Sequence, residues 1–256
     1  MLEVEKGLAR LTLNRPEAGN AINLALTRSL NDAVQRCASD RSVRAVLLGG
    51  AGPRFCVGGD LAEFAAIGDG VSAHLRAVTG FLHAAISGLA RLDAPVVAAV
   101  RGSAAGAGMS LVCACDLVVA ADSAKFVMAY TRVGLSPDGS GTWFLPRLVG
   151  RRRAAELILT NRGLSAAEAC EWGIVTSVVP EAEVDTAADA LARDLAAGPT
   201  AALGAAKRLL RLSATESLET QMQHETDEIA ANAGRHDGRE GMRAFLEKRP
   251  PDYNGR

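Results

Sequence analysis

Two stretches constrain the architecture of this 256-residue chain more than any others. Residues 44–48, RAVLL, and 95–100, PVVAAV, are short and almost continuously apolar. A strand with one wet face alternates apolar and polar residues, whereas an unbroken apolar run reads as a strand covered on both faces, the habit of parallel sheets packed under helices. Leu8 to Asn14 alternates instead, like a half-buried strand. The covering helices are visible in the pattern. Leu26, Leu30, Ala33, Val34 and Cys37 repeat at helical spacing after the potential cap Asn23, and residues 71–92 carry a second amphipathic pattern. Further strands are predicted at Leu117 to Ala121 and Ile174 to Val179, the latter after a short helix opened by the capping box Ser165…Glu168. Beyond Pro180 only helical segments follow, separated by Gly, Pro and Ser signals. The expectation is an α/β core over residues 1–182 and a helical region over 183–256.

Composition removes several classes of function. Hydrophobic residues make up 48% and charged residues 22%, as in an ordinary globular protein. A formal net charge of -1, with Arg151-Arg152-Arg153 as the densest basic cluster, is not the footprint of a nucleic-acid binder. The N-terminus lacks the apolar core and cleavage site of a signal peptide, and no uncharged apolar run is long enough to span a bilayer, so a cytoplasmic protein without a membrane partner is expected. The five cysteines form no CxxC pair and the four histidines no HExxH, so neither a disulfide framework nor a metal site is expected.

Each fully apolar run feeds a glycine-rich loop and then a helix pattern. RAVLLGG leads into AGPRFCVGGDLAEF, residues 51–64, and PVVAAV leads into RGSAAGAGMSLVCACD, residues 101–116. Such junctions expose backbone N–H groups at helix starts, where they favour anions or developing negative charge. Neither loop ends in the Gly-Lys-Ser/Thr of a phosphate loop, and Gly102, Gly106 and Gly108 have the wrong spacing for a dinucleotide fingerprint. Small residues also serve tight helix-on-strand packing. Two such loops in one chain could nevertheless converge their donors on a single oxygen, the geometry that holds a thioester enolate. A third stretch, GLSPDGSGTW at residues 134–143, places one carboxylate, Asp138, among small residues. Turn chemistry alone accounts for Pro137-Asp138-Gly139.

The residues that resemble a known family run through nearly the whole chain. They are Thr12-Leu-Asn-Arg-Pro16 with Asn20-Ala-Ile-Asn23, Phe55-Cys-Val-Gly-Gly-Asp-Leu61, Ala94 to Val100 with Gly102 to Gly108, Asp116 to Ala121, Ser123-Ala-Lys-Phe126, and Arg239 to Arg249. Together they resemble the crotonase, or enoyl-CoA hydratase/isomerase, superfamily. The resemblance implies an α/β fold, a crotonase-like spiral of ββα repeats with a C-terminal helical trimerisation region, assembled as a homotrimer or dimer of trimers. It implies an acyl-CoA substrate and no cofactor beyond the coenzyme A moiety. The thioester oxygen would lie between the amides of Gly59 and Ala107, with Ala21, Val57, Asp60 and Leu61 near coenzyme A. Phe245 and Lys248 match a segment that contacts coenzyme A in the family, sometimes across a subunit boundary.

The departures from the pattern are as informative. Family hydratases use two glutamates on water, and this chain has Ser110 and Tyr130 at those places. Neither is a carboxylate base at neutral pH, and losing general acid–base help costs about 10²- to 10⁴-fold in rate. Asp138 matches the catalytic aspartate of phenylacetate-pathway isomerases and of 4-chlorobenzoyl-CoA dehalogenases, and the surrounding blocks look closer to the isomerases. His83 matches the dehalogenases' catalytic histidine. The expectation is a Δ3,Δ2-type double-bond isomerase with Asp138 as base. The alternatives are a dehalogenase with Asp138 as nucleophile and His83 as base, a weak hydratase, or a non-catalytic acyl-CoA-binding protein.

Overall fold

The computed structural model describes residues 1–255. Its main sheet has six strands in the order β1-β2-β3-β4-β6-β9, formed by Leu2–Glu5, Leu8–Leu13, Ala45–Gly50, Val96–Val100, Leu117–Ala121 and Ser177–Val179. All neighbours are parallel except β1 and β2, which form a hairpin. Every residue of β4 is buried, as its apolar run predicts, while β2 alternates toward half-burial at Arg10 and Thr12. A second sheet of three short strands, β5 (Ser103–Ala105), β7 (Lys125–Val127) and β8 (Leu164–Ser165), is ordered β5-β7-β8.

The two sheets explain the spiral. From β4 the chain passes through Arg101-Gly102 directly into β5 and then into helix α4 (Ala107–Cys113). From β6 it passes likewise into β7 and on to α5 (Gly141–Thr160). Each unit therefore gives one strand to the large sheet, one to the small sheet and then a helix, which is the expected ββα repeat. The loops after β2 and β3 follow the same route with single bridges, Ile22 to Gly59 and Cys56 to Ala104.

Local chemistry accounts for the helix ends. Asn23 caps α1 (Leu24–Ser39) by accepting from the Leu26 N–H at 2.9 Å, and Asp60 caps α2 (Leu61–Ala66) by accepting from the Glu63 N–H at 3.1 Å. The long α3 (Val71–Arg91) packs against α1, where a Cβ on Gly88 would lie 2.5 Å from the Val34 side chain, and buries Leu82, Ala85, Ile86 and Leu89 in the core. Ser165 and Glu168 form the predicted capping box of α6 (Ala166–Glu171). The next strand is shorter than the predicted Ile174 to Val179. The N–H groups of Ile174 and Val175 both donate to Ala169 O, at 2.8 and 3.1 Å, closing α6 before the ladder begins at Ser177. Gly150, at φ 79 and ψ 157, splits α5 into two helical pieces.

Four helices follow: α7 (Val184–Ala197), α8 (Thr200–Leu212), α9 (Leu218–Ala233) and α10 (His236–Glu247). Helix α7 packs on β3, β4 and β6 through Val184, Ala188, Ala192 and Ala196. The last three helices leave large apolar side chains exposed, among them Leu210, Leu218, Ile229, Phe245 and Leu246. Among the described residues, no helix is long and apolar enough to cross a membrane.

Candidate active site

The two glycine loops meet. Gly106 opens α4 at φ 51 and ψ -122, a conformation suited to glycine alone. Two residues on, a Cβ on Gly108 would lie 2.4 Å from the carbonyl oxygen of Cys56, so the first turn of α4 rests directly on the other loop's backbone. This contact brings Gly59 and Ala107 onto the wall of one cavity of about 520 Å³. Among the described residues, neither amide donates to a protein acceptor: Gly58 O and the Asp60 N–H make the bridge to Ile22, and the hydrogen-bonded N–H groups of the second loop are those of Ala105 and Gly106. An N–H on a cavity wall with no protein acceptor is free to donate to water or to a ligand.

Asp138 stands on the same cavity wall and is the one carboxylate among the described residues that line it. Its Oδ1 accepts a 2.7 Å hydrogen bond from the Tyr130 hydroxyl, which also lies 3.3 Å from the Asp138 carbonyl oxygen. The Ser110 Oγ is 3.0 Å from the Tyr130 oxygen. With the Tyr130 proton committed to the carboxylate, Ser110 is the donor in that pair. Burial, and secondarily the Asp138 charge, push the Tyr130 phenol far above its ordinary range, so Tyr130 keeps its proton and serves as a donor. No protein group donates to Oδ2 among the described residues. Two neutral hydroxyls therefore form a chain of donors that ends on the carboxylate, Ser110 to Tyr130 to Asp138 Oδ1.

The turn that carries Asp138 is held at both ends. The Gly141 N–H returns to Asp138 O at 3.1 Å, Ser140 Oγ donates to Gly139 O, and the Gly139 N–H donates to His83 Nε2 at 3.1 Å. His83 thus uses Nε2 as an acceptor and carries its proton on Nδ1. It lines a second cavity, of about 480 Å³, rather than the first. Asp138 borders both. The contact between His83 and Gly139 spans 56 positions, and no periodicity or motif signals it.

Val57 and Leu61 line the first cavity with Ile22, Phe64, and the α3 stripe Val71, Leu75 and Val78, whose helical spacing is the one sequence signal for that wall. Ala21 and Asp60 lie outside the lining and are joined through Arg15. Its guanidinium donates to Ala21 O at 2.6 Å and pairs with Asp60 Oδ2 at 2.9 Å. The Glu63 N–H bond and the Arg15 pairing hold the Asp60 carboxyl below its usual range despite partial burial. Glu63 accepts from Asn23 and sits 2.9 Å from His74 Nε2, tying α1 to the start of α3; burial would raise it, but these bonds outweigh burial and leave it lowered. Phe245 and Lys248 are exposed on the last helix and its cap and border no part of this chain's own cavity.

Fold and site together match the α/β acyl-thioester enzyme expected from the sequence: two sheets wound in ββα steps, with two unpaired amides and a single carboxylate on the wall of one cavity. The comparisons agree. The sequence profile of the family described as enoyl-CoA hydratase/isomerase matches residues 3–256. The chain belongs to that family. It is 42% identical over 254 residues to the 1,2-epoxyphenylacetyl-CoA isomerase of Escherichia coli K12, covering 99% of this chain and 97% of the relative. It is 38% identical to 4-chlorobenzoyl coenzyme A dehalogenase-2 of an Arthrobacter species, covering 96% and 90%. Among solved structures, an enoyl-CoA hydratase from Polaromonas sp. JS666 superposes with a TM-score of 0.93 at 36% identity over 99% of both chains.

Proposed function

We propose that this enzyme is an acyl-CoA isomerase in which Asp138 moves a proton along an unsaturated acyl chain. The carrying observation is the lone cavity carboxylate, held by Tyr130 at Oδ1 with Oδ2 free of protein donors, on a residue that lines the same cavity as two unpaired amides. Oδ2 takes a proton from carbon 2 or carbon 4, the C–H electrons move into the conjugated system, and charge collects on the thioester oxygen between Gly59 and Ala107. Removing one such donor typically costs about 2.7–4 kcal/mol of transition-state stabilisation. The new carboxylic acid then returns the proton at the other end of the allyl unit. Tyr130 stays neutral throughout, and Ser110 keeps it oriented. Hydration is disfavoured because, among the described residues, no second carboxylate lines the cavity to hold water. The E. coli relative's ring-bearing substrate and the cavity's volume, inside the usual range for small-molecule sites, support a bulky or cyclic acyl group.

The test is a panel of CoA thioesters (2-enoyl, 3-enoyl, ring-epoxide and 4-chlorobenzoyl) assayed with wild type and Asp138→Asn. The expected result is isomerisation that falls at least 10²-fold in the variant while thioester binding persists. Halide release from the chlorobenzoyl ester without isomerisation would replace this reading with the nucleophilic one, and binding without any turnover would leave a non-catalytic acyl-CoA binder. The exposed apolar residues of α8 to α10 support assembly into a trimer or a pair of trimers, which sedimentation would show.

A further inference from the structure

Asp138 is a wall between two compartments. In front lies the largely apolar cavity with the unpaired amides; behind lies the 480 Å³ cavity between α3, the start of α5 and α8. The rear space differs in chemistry. His83, Ser87 and Arg91 reach it from α3, Ser140 and Thr142 from α5, and Arg211 from α8, whose buried Nε has no protein partner. Ile86, Ala90, Pro137, Trp143 and Phe144 complete a lining of mixed character; a cavity of that size has room for on the order of 15 waters, and an unsatisfied buried donor such as Arg211 Nε is what an ordered water binds. It contains neither of the two amides that would fix a thioester.

Asp138 lines both cavities, so an acyl group in the front one leaves the residue bordered by the rear one. We infer that this rear cavity is a water compartment through which the proton carried by Asp138 exchanges with solvent during turnover. The inference rests on the proposed role of Asp138 as the proton carrier. The exchange balances simply: after the carboxylate has taken a substrate proton, the carboxylic O–H passes its proton to a rear water and takes another from it, with no net change in charge. A carbon reprotonated after that event carries a solvent hydrogen; one reprotonated before it carries the substrate's own.

The experiment is turnover of unlabelled 3-hexenoyl-CoA in D2O, with the deuterium content of the product read by mass spectrometry at low conversion. The expected result is deuterium in most product molecules at the newly protonated carbon. Filling the rear cavity with Ser87→Phe and Ala90→Phe together, both on the half-buried face of α3 and neither placed in the site, lowers that fraction several-fold while kcat stays within about threefold. Retained melting temperature shows that the variant is folded, and Ala90→Leu supplies a milder filling if it is not. A wild-type product that keeps the substrate's hydrogen, or a deuterium fraction indifferent to filling, overturns the inference. Undiminished activity in Asp138→Asn is a separate result and overturns the carrier role itself.

Discussion

Replacing Tyr130 by Phe removes one oxygen atom and separates two jobs that the hydroxyl performs. Its 2.7 Å bond to Asp138 Oδ1 is charge-assisted, and bonds of that type contribute about 1.5–3 kcal/mol. If that energy fixes the carboxylate for proton transfer, its loss lowers kcat by about 10- to 150-fold at 1.36 kcal/mol per decade. Ser110→Ala removes a neutral bond that reaches Asp138 only through Tyr130, worth about 0.5–1.5 kcal/mol, so kcat falls by roughly two- to tenfold. Because Ser110 acts through Tyr130, the double variant is no slower than Tyr130→Phe alone. Stability behaves in the opposite sense. Tyr130→Phe orphans the fully buried Ser110 hydroxyl, at about 1–3 kcal/mol, and Ser110→Ala added to it relieves that cost. For a chain of this size each kcal/mol moves the melting temperature by about 2–4 °C. Steady-state isomerase assays and thermal melts on the four proteins make the test. A double variant whose kcat loss is the product of the two single losses would refute the chain of donors.

Three further outcomes follow from other contacts. Gly108→Ala drives a methyl to 2.4 Å from the Cys56 carbonyl, so the two amide-bearing loops separate; overpacking of this kind costs about 1–3 kcal/mol, and calorimetry should show a lower melting temperature together with a fall in kcat. His83→Ala leaves the Gly139 N–H without its acceptor and loosens the turn, so kcat drops several-fold, while His83→Gln, which retains an acceptor, recovers most of it; an unrecovered loss would point to chemistry at the imidazole instead. Glu240 is held far below its ordinary 4.5 by bonds from Arg249, the Asp252 N–H and Arg243, and Asp237 is lowered too: burial opposes it, but bonds from His236 and the N–H groups of Asn254 and Gly255 prevail. A lowered carboxylate stabilises the fold above its unfolded pKa and loses that contribution as pH falls through the folded value. Protection factors against amide exchange in residues 252–255, corrected for the intrinsic pH dependence, should therefore fall as pH drops below about 4.5, and Glu240→Gln should lower them already at pH 7.

Features governed by local chemistry or a long period were readable from the sequence. Asn23 and Ser165 cap the helices they were expected to cap, and the apolar run of β4 lies buried at every position. The small sheet escaped notice because its strands are two or three residues long, too short to show a period. Ile174 and Val175 looked like strand because they are apolar and buried, yet their N–H groups finish a helix. At the site, the glycine loops and Asp138 were marked by spacing and resemblance. The bond that makes Tyr130 a donor and the one that makes His83 a clamp on the turn depend on three-dimensional register, which residue identities alone do not specify.

The seat of Gly108 on the Cys56 carbonyl has a consequence for how such an enzyme changes over time. In the proposed mechanism the groups offered to the thioester oxygen belong to the main chain, so no exchange of side chains deletes them as long as the glycine that seats them persists. The groups to which that mechanism gives the handling of the proton are ordinary side chains at positions 110, 130 and 138. A lineage can rewrite those three positions, trading one reaction for another, while the half of the machinery that tolerates negative charge is inherited untouched. Substrate activation and reaction outcome are thus separable traits in this scaffold, one guarded by backbone contact and the other open to point mutation.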